Sequence, residues 1–167
     1  MTDNPDSFNI HLYYNSDYEK KVAEGSPDSW IEVAIVANGI DICGDPEKKQ
    51  GLTGYACGIQ FDLLDVVESI SSGEKGVIEF EFGPDWVVFE PKNEDTVRVY
   101  KSTTYSGIDD AKERLEIDPS TVVSKKSIRT EAINTVCSFI EHIVDINPEI
   151  RTQETVSELR EQLEEMR

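Results

Sequence analysis

The chain has 167 residues, with 34 Asp and Glu against 16 Lys and Arg, which gives a formal net charge of -18 at pH 7. This length suits one full hydrophobic core and is short for two. Hydrophobic residues make up 38% of the chain and come in patterned blocks, which argues against disorder. The negative charge argues against binding to nucleic acid or to anionic membranes, which depends on Lys and Arg.

The first segments in chain order predict a strand, a loop and a β-hairpin. Residues 8–14 alternate between apolar and polar side chains, which predicts a strand. The polar residues 15–28 predict a loop, and the second strand is expected over Trp30–Ala37. Asn38-Gly39 favours a type I′ turn, because both central positions of that turn need positive φ, and Ile40–Cys43 would return as the third strand.

The next segment is rich in glycine and leads into a helix. Residues 44–58 hold four glycines and one proline and predict a long loop, in which Gly51–Gly58 could let a backbone approach a ligand. Gln60-Phe61 is a candidate short strand. Asp62 would cap a helix that ends near Ser71, since the apolar residues between them fall within one arc of a helical wheel.

Three closely spaced strands follow and predict a meander. Val77–Phe82 alternates, with acidic residues on its polar face. Trp86–Phe89 is apolar on both faces, which is typical of a central strand, and Thr96–Lys101 alternates again. A short helix is expected over Asp109–Leu115.

Two helical segments complete the chain. The longer one opens at Ser127 or Thr130 and runs to about Ile146, and its wide apolar arc predicts a helix lying flat on a sheet. Asn147-Pro148 ends this helix. The last segment carries a narrow apolar stripe along a helix of about four turns. The stripe consists of Val156, Leu159, Leu163 and Met166.

These elements predict an α+β fold with an antiparallel five- or six-stranded meander sheet. Two helices, Asp62–Ser71 and Ser127–Ile146, are expected to pack on one face of the sheet. A C-terminal amphipathic helix follows, so the predicted division is an α+β domain over residues 1–147 and a helical tail over 148–167. The narrow stripe fits docking on the chain's own domain, or a seam that binds a partner or a second copy. We expect that the stripe binds a partner or a second copy.

The distributed negative charge has three interpretations. It can serve solubility, because net charge far from zero keeps molecules apart. It can reflect adaptation to high salt, where repulsion is screened within a Debye length of about 3 Å at 1 M. It can mimic a nucleic-acid backbone. We favour salt adaptation, although Lys outnumbers Arg by ten to six, and salt-adapted chains usually shed lysine.

Motifs for common chemistry are missing from the sequence. Dinucleotide, P-loop, metalloprotease and serine-hydrolase signatures do not occur, and no Ca²⁺-loop spacing surrounds the adjacent acids. We therefore expect no catalytic residue, no cofactor and no metal. There is no secretory signal and no apolar run of the roughly 18 residues that span a bilayer. Three cysteines without a C-x-x-C pair fit a reducing cytoplasm.

Cysteine and histidine leave an enzymatic alternative open. Cys57, in the glycine-rich segment, is expected to be the more exposed thiol. Cys137 and His142 lie close together on the long helix and could pair as a nucleophile and its base. Cys137 falls in the apolar arc, however, where a thiol behaves as a small hydrophobe. The alternative is an unrecognised enzyme that uses Cys57 or His142.

Two tryptophans each begin a predicted strand. Trp30 and Trp86 are ordinary core or rim residues in the simplest interpretation. If they are exposed together they could anchor a partner, because tryptophan is enriched at interface hot spots. The candidate partner-binding residues are thus Trp30, Trp86 and the four residues of the C-terminal stripe.

From Trp30 to Ile146 the order is a hairpin with an Asn-Gly turn, a glycine-rich segment, a short helix, a meander and a long helix. This order resembles small acidic immunity-type and defence-associated α+β proteins of uncharacterised families. The resemblance implies an acidic, non-enzymatic binder that blocks a toxin. Together with the cysteine pattern and the net charge, it leads us to expect a cytoplasmic protein of this kind from a halophilic organism. The rival interpretation is a DNA-mimic inhibitor of a nucleic-acid enzyme.

Overall fold

A computed structural model describes residues 6–81, 85–110, 112 and 119–167. These residues form an α+β fold with two four-stranded antiparallel sheets and four α-helices. The strands are β1 Phe8–Tyr13, β2 Trp30–Ala37, β3 Ile40–Cys43, β4 Leu52–Tyr55, β5 Gly76–Glu79, β6 Trp86–Pro91, β7 Thr96–Ser102 and β8 Ser120–Ser124. The helices are α1 Ser16–Ala23, α2 Ala56–Ser71, α3 Lys125–Ile146 and α4 Glu154–Met166.

The first sheet is organised around β2. Strand β1 pairs along one side of β2, and the other side is shared by β3 and β4. Strand β3 pairs with the end of β2 at Ala37↔Ile40, whereas β4 pairs with its start at Trp30↔Tyr55. Asn38 and Gly39 have φ of 53° and 76°, so the turn predicted from the Asn-Gly pair is confirmed.

The second sheet is a meander in the order β5-β6-β7-β8, and it contains the three consecutive strands that the sequence predicts, as β5, β6 and β7. The expected single sheet of five or six strands is not found, because in the described part of the chain the strands after α2 pair only among themselves. One backbone hydrogen bond, from the N–H of Glu81 to the carbonyl of Thr53 at 3.0 Å, joins the sheets beside β5.

The core lies between the sheets and under the helices. Phe8 of β1 meets Phe89 of β6 edge to face, with ring centroids 5.9 Å apart. Helix α3 contacts α2, β1 and β8, while α2 packs on β5, so the two helices do not share one face of a single sheet. Phe139 and Ile140 of α3 are buried, as the apolar arc predicts.

Helix α3 begins slightly earlier than predicted. Its N-cap is Ser124, whose hydroxyl accepts a hydrogen bond from the N–H of Ser127. The Asp6 carboxylate accepts hydrogen bonds from the backbone N–H and hydroxyl of Ser124 and from the hydroxyl of Ser127. These bonds lower the pKa of Asp6, although burial acts in the opposite direction. The chain ahead of β1 is thereby tied to the start of α3.

Two predicted loops and one predicted short strand need correction. Residues 15–28 contain α1, which Asn15 caps and whose two buried residues, Tyr18 and Val22, give only a weak helical pattern. Residues 44–58 contain β4 and the first turn of α2, so Gln60-Phe61 is helical. The helix expected over Asp109–Leu115 lies mostly outside the described residues. Within the described ranges, no helix is both long and apolar enough to cross a membrane.

Candidate binding surface

The apolar stripe of α4 packs on the chain itself. Val156 and Leu159 are fully buried and Leu163 is nearly so, while Met166 is half-buried against the same cluster. Helix α4 contacts α2 and α3, and Ile150 before it belongs to the same core. The stripe is therefore not exposed to a partner in this conformation. Partner binding through it would need α4 to undock, and both this role and independent folding of residues 1–147 stay predictions.

Trp30 takes part in an exposed aromatic pair. Its ring stacks on Tyr55, with centroids 3.9 Å apart, and Tyr55 is 41% exposed. The two residues are cross-strand partners in β2 and β4, and Ile31 and Gly54 beside them are buried on the opposite face. Because side chains alternate along a strand, Trp30 and Tyr55 stand on the outer face of the first sheet.

Trp86 takes part in a second aromatic pair at the start of β6. Its ring meets Tyr105 edge to face, with centroids 5.8 Å apart, and Tyr105 is 76% exposed. Trp86 lies directly opposite Glu79 in β5, so these two side chains share one face of the second sheet. Each of the two candidate tryptophans thus contacts an exposed tyrosine. Neither tyrosine was among the candidate residues chosen from the sequence.

A carboxylate of α2, Asp62, lies within electrostatic range of three others. Asp62 and Asp65 are one turn apart on α2, and the residues beside them are Glu79 of β5 and Glu81. The pKa of Asp62 is raised to about 6, because of burial first and then the charges of Asp65, Glu79 and Glu81; a hydrogen bond with the Glu79 backbone opposes this shift. None of the four forms an ion pair with another described residue. Asp65 accepts a hydrogen bond from the Gln162 amide at 3.0 Å. The ionised form of Asp62 is thus repelled by three neighbouring carboxylates.

Strand pairing brings Glu79 and Glu81 from the carboxylate group to the place where the sheets join, with Glu79 directly opposite Trp86. The Glu81–Thr53 backbone bond places Glu81 beside β4, two residues before Tyr55. Phe80 points into the core against Gly54, which leaves Glu81 on the outer side. We call this region the aromatic–acidic surface. It comprises Trp30, Tyr55, Asp62, Asp65, Glu79, Glu81, Trp86 and Tyr105.

The glycine-rich segment serves packing in this structure. A Cβ added at Gly51 would lie 2.3 Å from the carbonyl oxygen of Val33, so only glycine fits there. A Cβ at Gly54 would come within 2.9 Å of two side-chain atoms of Ile59. The glycines of residues 51–58 therefore bring the backbone against β2 and α2.

The expected exposure of the cysteines is wrong. Cys57 lies in the first turn of α2 and is 1% exposed. Burial, helped by the charge of Asp28, raises its pKa to about 12, so the thiol stays protonated at neutral pH and is a poor nucleophile. Cys43 is also buried, whereas Cys137 is only partly buried.

His142 lies in a separate contact between α3 and α1. Its ring stacks on Tyr14 with centroids 4.1 Å apart, and its Nε2 atom is 3.4 Å from a carboxylate oxygen of Glu19. No hydrogen bond between described residues joins His142 to Cys57 or Cys137. Among the described residues, no group of three or more His, Cys, Asp or Glu side chains could hold a metal ion.

Comparisons with models of protein families, with curated proteins and with solved structures found no match to this chain. A function for this chain must therefore be inferred from its own surface. Apolar and acidic residues alternate around Glu79 and Glu81, and this pattern predicts that both side chains lie on the polar face of the strand. The sequence thus indicates two of the four carboxylates. Their approach to Asp62 and Tyr55 depends on the meeting of the two sheets, which no local pattern shows.

Proposed function

We propose that this chain is a non-enzymatic protein that binds a basic protein partner through the aromatic–acidic surface. The observation that carries the proposal is the repulsion of Asp62 by three neighbouring carboxylates, one of which, Glu81, lies beside the strand that carries the exposed Tyr55. Lys or Arg side chains of a partner would relieve this repulsion. They would also gain cation–π contacts with the aromatic rings, and tryptophan and tyrosine are common hot-spot residues at interfaces.

Asp62 gives the proposed interface a dependence on pH. Its raised pKa means that part of the cluster's charge is lost as the pH falls through about 6. A cationic partner stabilises the ionised form, so binding should release a proton near this pH. Affinity for the partner should accordingly fall below about pH 6.

The same proposal extends to the location, the biological role and the source of the chain. We propose a cytoplasmic, immunity-like or defence-associated protein from a salt-adapted organism, whose partner is a toxin with a basic surface. The net charge of -18 supports the salt adaptation, because screening relieves self-repulsion in the folded chain. The thermal midpoint should then rise between tens of millimolar and about 2 M KCl. A midpoint that is flat or falls would remove salt adaptation from the proposal.

The decisive experiment is partner capture with matched charge variants. The double variant Glu79→Gln/Glu81→Gln removes two charges from the surface, and Glu154→Gln/Glu158→Gln removes two from the exposed side of α4. We expect the wild-type chain and the α4 variant to retain the same basic protein from native lysate, and the surface variant to lose it. Equal retention by both variants would contradict the proposed surface.

A DNA-mimic inhibitor is the alternative that rests on the same carboxylates. It predicts that duplex DNA competes for the captured protein, because the partner would use its nucleic-acid site. A toxin-binding role at another site predicts no competition. The enzymatic alternative is weakened by the burial of Cys57 and by the absence, among the described residues, of a hydrogen bond from His142 to a thiol.

A further inference from the structure

Along β1, alternate residues direct their backbone hydrogen-bonding groups toward β2 or toward the outer edge of the sheet. The carbonyl of Ser7 accepts a hydrogen bond from the N–H of Asn38, at 2.8 Å, which continues the ladder with β2. The N–H of Ile10 instead donates to the Glu131 carboxylate at 2.7 Å. Because bonding alternates along an antiparallel strand, Ile10 and Leu12 turn their backbone N–H and carbonyl groups away from β2.

A groove runs along this edge, between β1 and α3. One cavity of about 290 Å³ has Ile10, Leu12 and Tyr14 on its strand side and Glu131, Asn134 and Ser138 on its helix side. A second cavity of about 420 Å³ continues past Phe8 and shares Glu131 with the first. The groove thus follows the whole strand, which at about 3.3 Å per residue is close to 20 Å long.

Glu131 stands where the carbonyl of an added strand would stand. An unpaired strand edge is a ready template for another chain, and proteins often cover it with a helix or a charged side chain. Here a single carboxylate makes the bond to Ile10, and its helix neighbours in the groove, Asn134 and Ser138, are exposed polar residues. A backbone carbonyl could replace the carboxylate without any other change in β1.

We propose that this groove binds an extended peptide segment that carries Arg or Lys and adds to the first sheet beside β1. The peptide carbonyl takes the N–H of Ile10, and the displaced Glu131 carboxylate then pairs with a basic side chain of the peptide. Binding therefore selects an extended backbone and a positive charge together. The groove lies on the edge of the first sheet opposite β4, so the inference does not rest on the aromatic–acidic surface.

Charge decides between this occupant and a second copy of the chain. The charged residues lining the groove are Asp6, Glu131 and Lys126, and the whole chain carries -18. Pairing β1 with β1 of another copy would bring two such chains together and set one Glu131 near the other. A basic peptide meets attraction over the same surface.

The test uses a blocked eight-residue peptide that alternates Thr and Arg, with the same peptide N-methylated at every second residue as control. Methylation keeps charge and side chains and removes the N–H groups that pair with a strand. We expect binding by fluorescence anisotropy, with slowed hydrogen exchange at the Ile10 and Leu12 amides, and at least about tenfold weaker binding of the methylated peptide. Equal binding of the two peptides, or none, overturns the proposal.

Glu131→Gln tests the charge preference, because glutamine can still accept the bond from Ile10. The variant should bind the Thr-Arg peptide about three- to tenfold more weakly and should bind a Thr-Gln peptide as the wild type does. Glu141→Gln removes one charge from the exposed side of the same helix and should leave both affinities unchanged. If Glu131→Gln and Glu141→Gln lose the same affinity for the Thr-Arg peptide, binding depends on net charge alone. A dimeric mass without peptide would show a second copy in the groove. Either result overturns the proposal.

Discussion

Each outer sheet edge has a helix carboxylate beside its backbone, but the surroundings differ. At β1 the N–H of Ile10 donates to Glu131 of α3, and at β5 the backbone of Glu79 lies close enough to Asp62 of α2 to act against the rise in its pKa. The β5 edge is also closed by β4 through Glu81, and there Asp62 sits among three further carboxylates. The β1 edge borders an open groove, and the helix residues beside Glu131 in its first cavity are uncharged.

The two carboxylates therefore have different effects on their sheet edges. Glu131 satisfies the backbone N–H of Ile10, which is costly to leave unpaired. Asp62 raises the local negative charge at a place where the backbone is already paired, which favours a cationic partner. Glu131 blocks an edge that could accept a strand. The position of each carboxylate depends on the buried residues that hold its helix against the core.

The largest expected effect comes from Phe139, which holds α3 against β1. Its ring is fully buried and lies 6.4 Å from that of Tyr14 between centroids. Phe139→Ala should lower the free energy of unfolding by roughly 3–5 kcal/mol in urea titration. Ser138→Ala, on the exposed side of the same turn, should change it by less than about 0.5 kcal/mol. A loss below about 1 kcal/mol for Phe139→Ala would mean that α3 is held by other contacts.

Helix α4 holds α2 in place through Leu159, as Phe139 holds α3 against β1. Leu159 is fully buried, and α4 contacts both α2 and α3. Leu159→Ala should cost about 2–5 kcal/mol, because a cavity would open in the shared core. The exposed neighbour variant Glu158→Ala should cost less than about 0.5 kcal/mol. If Leu159→Ala folds with wild-type stability but changes the mass measured by light scattering, the stripe serves association instead.

Asp62 should destabilise the fold as the pH rises. Its pKa is raised from 3.8 to about 6, so the folded chain keeps the proton after the unfolded chain has lost it. Stability therefore falls between these two values, and the loss is complete above about pH 6. Asp62→Asn should be more stable than the wild type at pH 7 by about 1 kcal/mol after allowance for solvent screening, and equally stable near pH 4. Asp41→Asn, on exposed β3, is the control for a general loss of charge.

The smallest effect is a difference in thiol labelling rates. Cys137 is partly buried on α3, whereas Cys57 and Cys43 are buried and their pKa values are each raised to about 12, chiefly by that burial. Cys137 should therefore react first with a thiol reagent in the native chain, as read by mass. Rapid labelling of Cys57 would show that the first turn of α2 opens, and with it the helix that carries Asp62.

Local patterns predicted the regular half of the fold. The Asn38-Gly39 hairpin, the meander and α3 follow from turn chemistry and periodicity. Helix α1 was missed because only Tyr18 and Val22 of it are buried. Strand β4 was missed because Gly51 before it and Gly54 within it, which signal a loop in sequence, are needed for close packing on β2 and α2.

The candidate site was predictable only in part. Trp30 and Trp86 were named from their positions at strand starts, and both have exposed tyrosine partners. The approach of Asp62 to Glu79 and Glu81 depends on how α2 crosses β5, and the groove at β1 depends on α3, which follows more than a hundred residues later. Tertiary contacts of this length leave no local signal.

The bond between Ile10 and Glu131 spans 121 positions of the chain. A ribosome adds about 5–20 residues per second, so β1 emerges roughly 6–24 s before the side chain that covers its outer edge. During that interval the nascent strand has a bare edge, the feature most prone to mispairing with neighbouring chains. Repulsion between negatively charged nascent copies opposes such mispairing until α3 is made, and salt weakens this protection by screening the charges.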